Sequence, residues 1–378
     1  MDFTFTEDQE SLRGLVAQIL DDHATPARTK VIEDEGHLFD TDLWSRLAAA
    51  ELLALCLPEE VGGGGAGLME LGIVLEEAGR HVARVPLYAV LALGALPVAR
   101  FGGPDHRDLL RAVGEGAVLL TAAHDEPGGA DPLAPTTSAR PDGTGWRLEG
   151  CKIAVPYGPQ AERIVTPASL TTGGTALFLV DPRTAGAEMA AATSTSGEPL
   201  GLFTLDGAWV GAGDRLGAEA EDPVGWAYRL AVAAQSVTAA GVLDGGLRIT
   251  ADYIAQRQQF GRPIAAFQGA AMRIADAYID TQAVWISAWS AMWHLGQGLD
   301  AAEALAIAKF WVADGGQRAV HAFQHLHGGI GLDVSYPIHR YFTVAKSLEA
   351  SLGGATSQLM RLGALLAAPP DGISDCVA

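Results

Sequence analysis

The feature that most constrains this chain is a double change of hydrophobic period. Up to about residue 115, apolar residues recur at three- and four-residue spacings, as in Leu12, Leu15, Val16, Ile19 and Leu20. Helices are expected over 7–21, over 40–55 behind the cap residues Asp40 and Thr41, and over 68–85. Between about 116 and 221 the period shortens. Runs such as 117–123, 146–148, 153–155, 163–167, 175–180 and 208–210 read as strands, separated by Gly, Pro, Asp and Thr. Asp142-Gly143 and Asp206-Gly207 read as tight connections between strands. From about 222 to 367 long helical periods return, over 224–257, 263–295, 301–327 and 338–366, enough for an antiparallel four-helix bundle. The expected class is α+β and multidomain: an N-terminal helical domain (1–115), a middle antiparallel β domain (116–221) and a C-terminal four-helix bundle (222–378).

A chain of 378 residues with 49% hydrophobic residues can bury sizeable cores. Its formal charge of −20 argues against nucleic acid and anionic membrane surfaces as partners. No run approaches the 18 or so consecutive apolar residues of a membrane span, and the start MDFTFTEDQE is acidic where a signal peptide is basic, so a cytoplasmic location is expected. Cys56, Cys151 and Cys376 stand far apart, which points away from a disulfide framework or a structural zinc site. The glycine run Gly62 to Gly65 lacks the Lys-Ser/Thr of a phosphate loop and reads as a turn.

Three clusters could carry chemistry. The corner Arg257-Gln258-Gln259-Phe260-Gly261-Arg262-Pro263-Ile264, followed by Phe267-Gln268, groups a guanidinium, an aromatic face and amides between two helices, as a nucleotide-like ligand requires. An ordinary helix-turn-helix corner explains the same residues. The second cluster, Gln324-His325-Leu326-His327-Gly328-Gly329-Ile330-Gly331, has more glycine than a helix end needs. Its histidines lack carboxylate support, so no metal is expected. The third, Gly353-Gly354-Ala355-Thr356-Ser357-Gln358, interrupts the last helical period.

In this order and spacing the clusters resemble the acyl-CoA dehydrogenase family of flavoproteins. The resemblance spans the chain, from FTEDQ and LPEEVGGGGAG through Glu126-Pro127, RQQFGRPIAAFQ and HGGIG to YPIHRY and the closing TSQ. It implies FAD, bound in extended form between domains and across a subunit interface. Arg257 would meet the pyrophosphate, Phe260 and Gly261 would line the adenosine portion, and Gln268 would extend that wall. His325, Gly328, Gly329 and Gly331 would close over the FAD of a neighbouring subunit, with Thr356 and Gln358 facing the cofactor.

The resemblance also implies removal of an acyl thioester's α-proton by a glutamate, at one of two places. Here those positions are Gly354 and Ala231, and neither carries a carboxylate. The acids Asp244, Glu349 and Asp333 lie one or more helix turns from those positions, with Glu349 the candidate for a displaced base. Two further departures face the flavin: Ile153-Ala154-Val155-Pro156-Tyr157 replaces the usual Trp-Ile-Ser/Thr run, and Gly129-Ala130-Asp131 the usual Gly-Ser-Asp. The wording is closest to actinobacterial members that work as unlike pairs, α2β2, on steroid or other bulky CoA thioesters. The expected function is therefore an FAD-binding, base-less subunit of an acyl-CoA dehydrogenase, with acyl-CoA as substrate, a Glu-bearing paralogous partner and an electron-transfer acceptor. A self-sufficient homo-oligomeric flavoenzyme and a non-catalytic scaffold are the alternatives.

Overall fold

The computed structural model describes residues 4–129 and 131–367; Ala130 and Cys376 lie outside the described residues. The N-terminal helices are α1 (Glu7–His23), α2 (Pro26–Asp34), α3 (Thr41–Ala49), α4 (Leu68–Arg80), α5 (Leu96–Phe101) and α6 (Arg107–Gly114), with a π-helical segment at Tyr88–Ala95. A capping box starts α1: the Thr6 hydroxyl accepts from the Gln9 N–H while the Gln9 amide oxygen accepts from the Thr6 N–H. Asp40 caps α3 as its side chain suggests. That helix stops at Ala49 rather than at 55, because Glu51 turns left-handed (φ 61°) and 50–56 fold back as turns. The α4 helix likewise ends at Arg80, before Val82 at φ 41°.

The middle region forms an eight-stranded sheet: β1 (Leu120–Ala122), β2 (Ser138–Asp142), β3 (Gly145–Pro156), β4 (Arg163–Leu170), β5 (Thr175–Val180), β6 (Ala187–Thr193), β7 (Pro199–Gly211) and β8 (Arg215–Leu216). Its order is β6-β7-β3-β2-β4-β5-β8, with β1 added beside β4. Most pairings are antiparallel, but β1 and β2 both run parallel to β4, so the sheet is mixed. Asp142-Gly143 closes the β2–β3 hairpin as expected. Asp206-Gly207 does not join two strands; it lies inside β7 as a bulge opposite Leu148 and Glu149, with Gly207 at φ 69°.

The C-terminal region comprises α7 (Pro223–Gln256), α8 (Gln268–Gly296), α9 (Ala302–His327), α10 (Ile338–Ala350) and α11 (Ala355–Ala367). The last helical period is broken in two at Ser351–Gly354, where Leu352 and Gly353 take positive φ. One apolar core joins the N-terminal helices to this bundle and to one face of the sheet; a second fills the sheet's other face. The segment 219–256 is apolar enough to span a membrane by length and composition, but 89% of its most apolar window is buried inside the protein. It is the central core helix of the bundle.

Glycine sets one distance that matters later. A Cβ on Gly79 of α4 would lie 2.2 Å from the Thr238 carbonyl oxygen of α7, and one on Gly241 would lie 1.9 Å from that of Glu76. Only glycine permits this approach. It holds the two helices together on one side of the chamber described next.

Candidate functional site

Where α4, the π-helical segment, the sheet, α7 and α10 meet, the packing leaves a cavity of about 470 Å³. Leu75, Val82 and Leu87 wall it from the N-terminal region, Leu200 from the sheet, and Val242, Val344 and Leu348 from the bundle. A bulge aims part of β3 into it. Between Lys152 and Val155 the ladder to β7 loses register, Ala154 takes φ 51°, and the Ile153 N–H donates to the Asp125 carbonyl (2.9 Å). Ile153 and Ala154 therefore face the chamber, as do Pro156 and the left-handed Tyr157.

Buried charge surrounds its inner end. Lys152 and Glu126, both sequestered, form an ion pair at 2.6 Å. Burial pushes the Glu126 carboxyl up, but Lys152 and the Thr136 and Thr137 donors outweigh it and hold it at about 2. His124, fully enclosed and beside Lys152, is pushed down to about 3, mainly by burial, and is neutral. Lys309 donates to the Leu348 and Glu349 carbonyls at the end of α10; burial lowers it to about 7 despite Asp125 and Glu349 nearby. Burial raises Asp125, which accepts from the Leu352 N–H at 3.5 Å. At the β6–β7 hairpin, burial lifts Glu198 to about 7, with Arg84 opposing. Arg84 itself bridges that hairpin to the helices, donating to the Ser196 and Gly197 carbonyls and lying 3.5 Å from Glu33, which also pairs with Arg340.

The expected base positions carry no acid. Ala231 is fully buried in α7, where its carbonyl accepts from the Tyr88 hydroxyl (3.2 Å). A Cβ on Gly354 would have only the Glu349 carbonyl oxygen within reach, at 3.9 Å, so a side chain has room there. Glu349 pairs with Lys346 at 2.5 Å and does not line the cavity. Asp244 pairs with Arg80 and Arg248, and Asp333 is held by Ser335 at the surface. The acids that do line the chamber, Glu33, Asp125 and Glu198, were not singled out from sequence. Nothing local marks them: they converge from three distant segments.

The residues of the Arg257 corner, where the cofactor is expected, lie on the outside of the bundle. Arg257 ends α7 exposed, and among the described residues no acid pairs with it. Phe260 is 92% exposed at φ 52°, and Gly261 follows at φ 80° with open space around it. Gln268 opens the 29-residue α8, whose first turn no side chain caps. Uncapped N–H groups beside a free guanidinium and an open aromatic face suit a diphosphate joined to a flat ring, so these residues fit FAD.

The second cluster is mixed in character. His325 is exposed, and Gly328 (φ 61°) and Gly329 have nothing near their missing Cβ atoms, which leaves backbone open to a ligand. Gly331 is buried, and its Cβ would meet the Gln324 amide at 2.8 Å; internal packing alone accounts for it. In the third cluster Thr356 is exposed, whereas Gln358 is buried and donates to the Leu352 carbonyl at 3.1 Å. The fold does not gather all three clusters in one pocket. The Arg257 corner and the glycine loop present outward, beside exposed Met272, Ile279, Leu332, Val334 and Met360.

The chain is similar to known proteins over nearly its whole length. The pattern of the acyl-CoA dehydrogenase N-terminal domain matches residues 6–117, and that of the C-terminal domain residues 227–366. The acyl-CoA dehydrogenase FadE27 of Mycobacterium tuberculosis is 37% identical, covering 98% of this chain and all of that one. A variant of the Tcur3481-Tcur3483 steroid ACAD is similar with a TM-score of 0.90 and 42% identity, over 96% of this chain and 98% of that one. The ChsE4-ChsE5 complex from Mycobacterium tuberculosis contains a chain similar at TM-score 0.92 and 37% identity, over 98% of this chain and 100% of that one. This chain belongs to the acyl-CoA dehydrogenase family of FAD-dependent oxidoreductases.

Proposed function

We propose that this chain is the base-less subunit of a heteromeric acyl-CoA dehydrogenase, which introduces an α,β double bond into a bulky CoA thioester such as a steroid side-chain thioester. The observation that carries the reading is the pairing of two facts. Both base positions are carboxylate-free, at Ala231 and Gly354, while the Arg257 corner and the Gly328-Gly329 loop stay exposed and uncommitted. Removing a weakly acidic α-proton needs a base within about 3 Å of it, and a displacement of a few ångströms costs orders of magnitude in rate. Bound FAD supplies the hydride acceptor. This chain's residues would hold it: Arg257 and the α8 N-terminus on the pyrophosphate, Phe260 and Gly261 on the adenosine, and the loop of His325, Gly328 and Gly329 over the cofactor across the interface.

A Glu-bearing paralogue is the partner on this reading, and the exposed apolar residues beside both clusters are its contact surface. The reduced flavin would pass its electrons to a separate electron-transfer acceptor, and the complex would work in the cytoplasm. The match to steroid heteromers supports the substrate class and the unlike pairing. Co-expression with the paralogous subunit should give a yellow complex active on a steroid acyl-CoA, inactivated when the partner's glutamate is changed to glutamine. A yellow, active product from this chain alone defeats the reading.

One observation favours a second reading, a self-sufficient enzyme with a displaced base. Glu198 lines the cavity with its carboxyl raised to about 7, in the range of a working general base. On that reading the chain alone is active and Glu198→Gln abolishes turnover. A colourless chain, with or without the partner, favours a scaffold instead.

A further inference from the structure

We propose that Lys309 is a positioning residue for the flavin: together with Asp125 it clamps the break between α10 and α11, and so sets where Thr356, on the first turn of α11, meets the cofactor. The inference rests on the reading above that this chain helps to hold FAD.

The break is strained and needs holding. Leu352 sits left-handed at φ 56°, followed by Gly353 at φ 89°. A non-glycine residue keeps that conformation only where its surroundings fix it, and such residues gather at functional sites. The end of α10 also leaves its last carbonyls without donors from their own helix. Lys309, fully buried on α9, supplies them: its ammonium donates to the Leu348 carbonyl and, at 3.3 Å, to that of Glu349. Burial disfavours the charge, while Asp125, Glu349 and the negative end of α10 favour it.

Other groups grip the break from the remaining sides. The Leu352 N–H donates to the Asp125 carboxylate (3.5 Å), and the Leu352 carbonyl accepts from the Gln358 amide (3.1 Å) and the Tyr228 hydroxyl (3.4 Å). The Gln235 amide donates to the Ser351 hydroxyl at 2.5 Å. Side chains from α7, α9, α11 and the β1–β2 connection therefore converge on Ser351–Gly354, a segment with no titratable side chain of its own. What the clamp can place lies just beyond it. Gln358 is committed inside the clamp, whereas Thr356 is exposed and, among the described residues, its hydroxyl has no partner.

The test is a cycle of FAD dissociation constants for Lys309→Met, Thr356→Val and the pair, read by flavin fluorescence on the flavin-stripped, co-expressed complex. Each single substitution should weaken FAD about two- to tenfold, the scale of one hydrogen bond, and the pair should bind no more weakly than Thr356→Val alone. In the flavin-free complex, amide exchange at 352–358 should quicken in Lys309→Met while exchange at 230–250 of α7 stays as it was. Should Lys309→Met fail to fold, Asp125→Ala removes the acceptor on the other side of the break and enters the same cycle. Losses that multiply in the pair, or an unchanged Kd in Lys309→Met, overturn the proposal and leave Lys309 a packing residue. If Arg257→Ala weakens FAD but Thr356→Val does not, the proposal falls while the reading beneath it stands. If neither weakens FAD, that reading falls and takes the proposal with it. If no complex assembles with the unsubstituted chain, the heteromer reading fails; the same titrations on this chain alone then decide the role of Lys309, and no FAD binding there overturns it.

Discussion

Arg257→Ala separates a cofactor-binding residue from a structural one. Only the backbone of Arg257 is tied into the fold: its N–H donates to the Tyr253 carbonyl (2.8 Å), and its carbonyl accepts from the Ile264 N–H (2.9 Å). The side chain is exposed and pairs with no acid among the described residues, so truncation should change the stability of the flavin-free chain by no more than about 0.5 kcal/mol. Its cost should fall on the cofactor. A hydrogen bond to a charged group contributes about 1.5–3 kcal/mol, which corresponds to roughly 10- to 150-fold in Kd. Arg257→Lys should recover part of this, since an ammonium keeps the charge but loses the two-pronged fit to a diphosphate. The assay is FAD titration of the flavin-stripped complex by flavin fluorescence, with thermal melting of the flavin-free chain in parallel. A Kd within threefold of the unsubstituted complex refutes the assignment. A large drop in melting temperature without FAD would show that the residue serves the fold instead.

Other expectations concern the buried charges and the aromatic stack. Glu198 has a folded-state pKa near 7 against an ordinary value of 4.5, so the folded state holds its proton more tightly. That contribution is complete below pH 4.5 and is lost as pH rises through 7, a penalty of about 3 kcal/mol at pH 8. Glu198→Gln should therefore raise the melting temperature at pH 8 and leave it nearly unchanged at pH 4.5; an equal shift at both would refute this. Glu126, held near 2, has the opposite sign: its stabilisation is present above about pH 4.5 and fades as pH falls toward 2. Lys152→Met should cost about 3–5 kcal/mol by leaving that carboxylate buried without its counter-ion, and adding Glu126→Gln, whose amide oxygen can still accept from a Thr136 or Thr137 N–H, should recover part of it in urea melts. His327 stacks on Tyr253 at 4.5 Å and lies 5.3 Å from Tyr336, with Nδ1 on the Phe323 carbonyl, so it ties the glycine loop to the end of α7 that carries Arg257. His327→Ala should weaken FAD binding more than His327→Phe, which keeps the stack; equal losses would contradict that role.

Much of the architecture was legible because the hydrophobic period reports directly on local structure. The 224–257 and 301–327 periods became α7 and α9 within a few residues, and 175–180 became β5. What escaped was decided by tertiary contact. The β2 strand (SARPD) carries a proline and little apolar surface, and β6 (AEMAAAT) is an exposed edge, so neither shows alternation. Asp206-Gly207 has turn chemistry, yet the chain uses it for a bulge because β7 continues along β3 on both sides. Of the candidate site, the exposure of the Arg257 corner and the positive φ of Gly261 and Gly328 follow from residue types written locally. The chamber was not, since Glu33, Asp125 and Glu198 meet only after three regions pack. The internal duties of Gly331 and Gln358 were hidden for the same reason: each answers to a neighbour, Gln324 or Leu352, rather than to its own motif.

The central claim is that this chain helps to grip FAD but does not deprotonate substrate. Its most direct test is the absorbance near 450 nm and the steroid acyl-CoA turnover of the purified complex, measured with the unsubstituted partner and with the partner's glutamate replaced by glutamine. The account predicts a yellow complex in both cases, with turnover abolished in the second. Full turnover after the partner's glutamate is removed would place the base in this chain and contradict it.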